Sequence, residues 1–104
     1  MTTVRILVAD DHEIVRQGLR ALLEAQPGWQ VVAEAIDGRE ALDKAKRLHP
    51  DVVVLDVSMP NLNGLEATRQ IRKALPQTEV LILSQHESSE MMRQALAPAP
   101  SATF

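Results

Sequence analysis

Val52-Val53-Val54-Leu55-Asp56, followed by Met59-Pro60 and Gly64, is the stretch whose reading decides the fold. Four apolar residues end abruptly on a carboxylate, and Pro60, Asn61, Asn63 and Gly64 then form a turn. A short apolar run bounded by turn residues reads as a buried parallel strand. In open parallel sheets, ligands bind just beyond the carboxyl ends of the strands, so Asp56 sits where such an architecture does its chemistry. A second acidic group, Asp10-Asp11, ends another apolar run, Val4-Arg5-Ile6-Leu7-Val8-Ala9. Two strand ends of this kind bring three acidic side chains together, which is a site for a hard divalent cation.

The bulk numbers agree. The chain has 104 residues, 45% of them hydrophobic, which is one domain with a modest core. The net charge is −3 and the basic residues are scattered, so no nucleic-acid surface is expected of this chain. With no cysteine, disulfides, thiol catalysis and thiolate metal sites are excluded. The N-terminus carries no apolar run of signal-peptide or membrane-span length, so the expectation is a soluble cytoplasmic protein with no membrane partner. The only aromatics are Trp29 and Phe104, leaving the core to Val, Leu, Ile and Ala, as suits a parallel sheet covered by helices.

Strand and helix patterns alternate along the chain. Val4 to Ala9 reads as a strand. A helix follows from His12 to Ala25, with Asp11 as N-cap and Val15, Leu19, Leu22 and Leu23 inward, stopped by Pro27-Gly28. Gln30 to Ala35 is a second strand, and Asp37-Gly38 turns the chain. A second helix runs from Arg39 to Leu48, with Ala41, Leu42 and Ala45 inward, closed by His49-Pro50. Val52 to Leu55 is the third strand, Leu65 to Leu75 the third helix, Glu79 to Leu83 the fourth strand, and Ser88 to Leu96 a fourth helical segment. The resulting βαβαβαβα order implies right-handed crossovers and a parallel sheet. The last residues, Ala97-Pro98-Ala99-Pro100-Ser101-Ala102-Thr103-Phe104, cannot form a central strand and read as an extended tail. The expected division is therefore 1–97 as the domain and 98–104 as the tail.

If the first and third strands are neighbours, Asp10, Asp11 and Asp56 form one cluster. A lone strand-end Asp is ordinarily a cap; three together repel unless a cation neutralises them. Mg²⁺ takes one or two carboxylates directly and keeps waters and phosphate oxygens, so it lets an anionic phosphoryl donor approach Asp56. Carboxylates act as nucleophiles toward phosphorus, giving an aspartyl phosphate. Ser84, just after the fourth strand, offers a hydroxyl to a phosphoryl oxygen, the alternative being an ordinary turn serine. Ser58, two residues after Asp56, offers a backbone carbonyl to the metal. Of the histidines, His12 starts a helix, His49 precedes Pro50 and His86 follows the fourth strand; none pairs at metal-ligand spacing on a helix. Met91-Met92 reads as helix packing.

Together, Val8-Ala9-Asp10-Asp11-His12, the Val52–Asp56 strand, Met59-Pro60, Gly64 and Ser84 resemble the receiver domain of two-component response regulators, most closely the helix-turn-helix output branch (NarL/FixJ-like). The resemblance spans residues 4 to about 97. It implies a flavodoxin-like (CheY-like) doubly wound sheet, here in order 2-1-3-4 with the fifth strand and helix missing. It further implies that Asp56 accepts phosphate from a sensor histidine kinase, that Asp10, Asp11, Asp56 and the Ser58 carbonyl hold Mg²⁺, and that Ser84 is the switch hydroxyl. In such modules phosphate stabilises a pre-existing active arrangement.

The departure is equally specific. The family's fifth strand begins with an aromatic and ends in a lysine that pairs with the phosphate. Here the only lysines, Lys44, Lys46 and Lys73, lie in expected helices. Phosphorylation is thus expected to be slow. The fourth strand is expected to be an open edge and the first helix to expose apolar surface, which favours a homo-oligomer paired through that edge. Two other readings stand beside the phosphoacceptor. One is a phosphorylation-independent dimerisation or partner-binding module with a vestigial site, for which Mg²⁺ quenching of Trp29 fluorescence is a cheap discriminator. The other is an Asp-nucleophile phosphohydrolase, disfavoured because position 58 is serine and no general acid stands two residues after Asp56.

Overall fold

A computed structural model describes residues 3–56 and 64–83. Each apolar run forms a strand and each amphipathic run a helix: β1 (Val4–Ala9), α1 (Glu13–Glu24), β2 (Trp29–Ala35), α2 (Gly38–Leu48), β3 (Val52–Asp56), α3 (Gly64–Ala74) and β4 (Glu79–Leu83). The expected elements within the described residues are all present, with ends displaced by a residue at most. The Ser88–Leu96 helix, the Pro60 turn and the 98–104 tail lie outside the described residues.

The four strands form one parallel sheet in the order β2-β1-β3-β4. β1 is central, pairing Ala9 with Ala35 of β2 on one side and with Leu55 of β3 on the other. The register with β2 shifts between Ile6 and Leu7, where β2 holds one extra residue, Val32. Because the chain leaves β1 toward β2 and returns to β3 on the opposite side, the order reverses beside β1. This is the switch point where the crevice of a doubly wound sheet opens.

Alternation along the strands splits the core between the two faces of the sheet. Leu7, Ala9, Val53 and Leu55 point to the face covered by α2 and α3, where they meet Ala41, Leu42, Ala45, Ala67 and Ile71. Ile6, Val8 and Val54 point to the other face, which α1 covers through Leu19 and the partly buried Leu23. The stripe on α1 is narrower than its sequence suggests. Val15 and Leu22, expected inward, are exposed at 42% and 39%, and Ile14 at 85%. Among the described residues α1 is the only helix on that face, so only the middle of its apolar arc is covered.

The helix termini explain the boundaries. Gly28, with φ of 83°, turns the chain after α1 in a conformation that glycine tolerates, and its carbonyl accepts the Val4 N–H at 2.8 Å. Asp37 is the N-cap of α2, its carboxylate accepting the Glu40 N–H at 2.8 Å, while the Glu40 carboxylate accepts the Ile36 N–H at 2.8 Å. His49 ends α2 in the left-handed region, φ 50°, its N–H bonding the Ala45 carbonyl.

The amino end of the sheet is stapled. Asp51 accepts the Arg5 N–H at 2.8 Å, and the Arg5 guanidinium donates to the carbonyls of Leu48 at 2.8 Å and His49 at 3.1 Å. The buried Thr78 hydroxyl donates to the Pro50 carbonyl at 2.8 Å. Trp29 opens β2 at this end, paired with Val4, so the indole is remote from the acidic residues at the far end and is a poor reporter of them. Among the described residues, no helix is long and apolar enough to cross a membrane.

Candidate functional site at the carboxyl ends of β1 and β3

Asp10 directly follows β1 and Asp56 ends β3. As these strands are neighbours, the two carboxylates share one end of the sheet. Both are buried, Asp10 at 3% and Asp56 at 2% exposure. Asp11 joins them from the exposed side. The ligand atoms of Asp10, Asp11, His12 and Asp56 all lie within 4.8 Å of one another. The three carboxylates expected from the sequence are thus brought together. Ser58 and Ser84 lie outside the described residues.

The cluster is built by short local links. The Asp10 N–H donates to the Ala35 carbonyl at 3.0 Å, extending the β1–β2 ladder one step past the strand. The Asp10 carboxylate accepts the His12 N–H at 2.7 Å, which fixes its rotamer over the start of α1. The His12 ring approaches Asp11 at 2.9 Å and Asp10 at 3.3 Å through Nδ1. Two expectations are corrected here. Asp11 is not the N-cap of α1; His12, in extended backbone, holds that position, and its side chain makes no capping bond. The Asp11 carboxylate lies within the acidic cluster instead. His12, set aside as a lone helix-start histidine, stands within the cluster; its adjacency to Asp10-Asp11 was the available signal.

Burial pushes the Asp10 carboxyl above its ordinary range; the His12 N–H opposes this, and the charge of Asp56 adds to it. Like charges gathered in a partly dehydrated pocket raise the free energy of the folded chain unless something positive joins them. The donor set answers what that is. Three carboxylates give a hard, all-oxygen group that suits Mg²⁺ or Ca²⁺, whereas a single imidazole with no thiolate is a poor zinc or copper set. The residues present therefore fit Mg²⁺.

A parallel sheet wound 2-1-3-4 with acidic residues at its switch point defines a class of small α/β module, and comparison with known families agrees. The chain belongs to the response regulator receiver domains, whose family model matches residues 6–100. It is 41% identical over 98 residues to the transcriptional regulatory protein LnrK of Bacillus subtilis, covering 94% of this chain and 44% of LnrK. It is 42% identical over 94 residues to the response regulator protein VraR of Staphylococcus aureus, covering 90% of this chain and 45% of VraR. A solved two-component response regulator of the LuxR family from Aurantimonas superposes with a TM-score of 0.77 at 43% identity, covering 94% of this chain and 71% of that one. The chain spans less than half the length of the curated relatives it matches.

Proposed function

We propose that this chain is the phosphoacceptor domain of a two-component response regulator, with Asp56 receiving a phosphoryl group from a sensor histidine kinase in a Mg²⁺-dependent reaction. The observation that carries this reading is the meeting of Asp10, Asp11 and Asp56 at the switch point, two of them buried. In the reaction, a carboxylate oxygen of Asp56 attacks the phosphorus of a phosphohistidine. A P–O bond forms as the P–N bond breaks, and the departing imidazole keeps the electron pair and takes a proton from solvent. Asp56 is buried and its backbone is paired with Leu83 of β4, so part of the ordering precedes the encounter. Asp10 and Asp11, with the Ser58 carbonyl, are the residues that would hold Mg²⁺. When bound, the cation supplies the positive charge that lets an anionic phosphoryl donor approach an anionic cluster. Ser84, which directly follows β4, is the hydroxyl assigned to the phosphoryl oxygen once transferred.

The domain in this reading is residues 1–97, with 98–104 as a tail. Self-association through β4, an edge of the sheet among the described residues, belongs to the same proposal and is tested by sedimentation. The direct test is the intact mass before and after incubation with Mg²⁺ and acetyl phosphate, for the wild type and Asp56→Asn. The expected result is a gain of one phosphoryl group, lost in the variant and in EDTA. No gain in the wild type would favour a partner-binding module with a vestigial site.

A further inference from the structure

We propose that Arg16 is a positioning residue for the cation site: its guanidinium bridges the Asp10 carbonyl and the Glu34 carboxylate, so that α1 and β2 together fix the peptide carrying Asp10 and Asp11 toward Asp56. The inference rests on reading the acidic cluster as a Mg²⁺ site.

The geometry is that of a brace. The β1–β2 register ends at Ala9 and Ala35, and the Asp10 N–H still reaches the Ala35 carbonyl. The carbonyl of Asp10 has left the ladder in a residue that is almost fully buried, where a backbone oxygen needs a donor. Arg16 supplies it, with Nη1 at 2.9 Å. Its Nε donates to Glu34 Oε1 at 3.0 Å. The Arg16 side chain is only 13% exposed, so its charge needs a partner, and Glu34 is that partner.

Glu34 is itself held from other sides. Its Oε2 accepts Arg20 Nη1 at 2.9 Å, and its backbone carbonyl accepts Lys44 Nζ at 2.6 Å. The network thus ties α1, β2 and α2 to the one carbonyl from which the Asp11 peptide departs. Asp11 is the most exposed of the three carboxylate ligands, with 32% of its side chain accessible, and its backbone position follows from that peptide.

The chemistry of the bridge requires arginine. The two acceptors diverge, and a planar guanidinium presents Nε and Nη1 to both at once, which the single ammonium of lysine cannot do. Groups that orient metal ligands from behind carry a large part of metal affinity; removing one costs about 10- to 100-fold.

The test is a Mg²⁺ titration of the ¹⁵N-labelled chain followed by amide chemical shifts, which report both the fold and the dissociation constant. The wild type is compared with Arg16→Met, Arg16→Lys, Glu34→Gln and, as ligand control, Asp11→Asn. The expected result is a dispersed, folded spectrum for Arg16→Met with Mg²⁺ affinity weakened about 10- to 100-fold. Arg16→Lys should recover part of the affinity, and Glu34→Gln should weaken it less than Arg16→Met does. A folded Arg16→Met or Arg16→Lys with wild-type affinity overturns the proposal, even if its melting temperature falls. Should Arg16→Met not fold, the ordering of Arg16→Lys and Glu34→Gln against the wild type decides in the same way. A wild type that binds no more Mg²⁺ than Asp11→Asn overturns the cation reading itself, and the role of Arg16 with it.

Discussion

Replacing Asp56 with asparagine should stabilise the metal-free chain. The two side chains have the same shape, so the substitution removes one negative charge from a buried cluster without leaving a cavity. Ligand oxygens of Asp10, Asp11 and Asp56 lie within 4.8 Å of one another. Two unit charges at about 4.8 Å repel by about 3.5 kcal/mol at an effective dielectric constant of about 20, and by about 0.9 kcal/mol in bulk water. Asp10 and Asp56 are buried whereas Asp11 is exposed, which places the relief between these limits, at about 1–3 kcal/mol. For a domain of this size each kcal/mol corresponds to about 4–8 °C in Tm. Mg²⁺ should act unequally on the two proteins. At about ten times its dissociation constant it adds about 1.4 kcal/mol to the wild type, through binding only the folded state. It adds far less to the variant, which lacks one ligand. Thermal unfolding by circular dichroism at pH 7, in EDTA and in Mg²⁺, reads both effects. A lower Tm for Asp56→Asn in EDTA, or equal Mg²⁺ shifts for the two proteins, would refute the account of the cluster as a repulsive site held for a cation.

Other outcomes follow from single features. Gly18 lies inside α1, and among the described residues nothing comes within 4 Å of an added Cβ; Gly18→Ala should raise stability by about 0.5–1 kcal/mol in a denaturant titration. Asp37→Ala removes the N-cap of α2 and should cost about 1 kcal/mol in the same assay, with Asp37→Ser recovering most of it. The Arg16 hydrogen bond is the largest influence on the Glu34 carboxyl and lowers it; burial pushes the other way, and the Arg20 hydrogen bond and the two positive charges leave it below its ordinary value. A carboxyl lowered in the folded state contributes stability above its unfolded value near 4.5, and that contribution is lost as pH falls through the folded value. Glu34→Gln should therefore destabilise at pH 7 and flatten the loss of stability below about pH 4.5, as followed by urea midpoints across pH.

The parts of this fold that depend on local pattern were legible in the sequence. Apolar runs such as Ile6–Ala9 and Val52–Leu55 have one physical solution in a small cysteine-free chain, a strand buried on both faces, and the alternation with amphipathic segments then dictates crossovers. The meeting of Asp10, Asp11 and Asp56 followed from that topology. Packing between distant segments was legible only in part: the exposed apolar surface of α1 was expected, but not which of its residues carry it. Periodicity alone placed Val15 and Leu22 inward, since it cannot show how far around α1 the sheet reaches. A carboxylate just before a helix reads as its cap, yet that of Asp11 joins the acidic cluster beside His12, and the helix starts one residue later. Asp37 was read as a turn residue, although the same Asp with Glu40 three residues on carries the capping pattern. The Arg16–Glu34 bridge joins two residues 18 positions apart on different elements, and nothing in the local sequence of either announces the other.

The position of β1 at the centre of the sheet bears on how the chain is made. β1 leaves the ribosome before both of its neighbours, and the second of them, β3, arrives much later: Arg5 and Asp51, which staple the two together, are 46 residues apart. Among the described residues no strand pair closes through a hairpin, so each of these pairings waits for a whole helix to be synthesised. During that interval one flank of the apolar Ile6–Ala9 run has no partner, and the nascent β1–α1–β2 unit is the species most exposed to wrong pairing or to capture by a chaperone. Delivery of Val52–Asp56 closes that flank and brings Asp56 to the site in the same event. The three carboxylates thus come together in the same event that gives β1 its second neighbour, and a nascent chain stalled before β3 has neither.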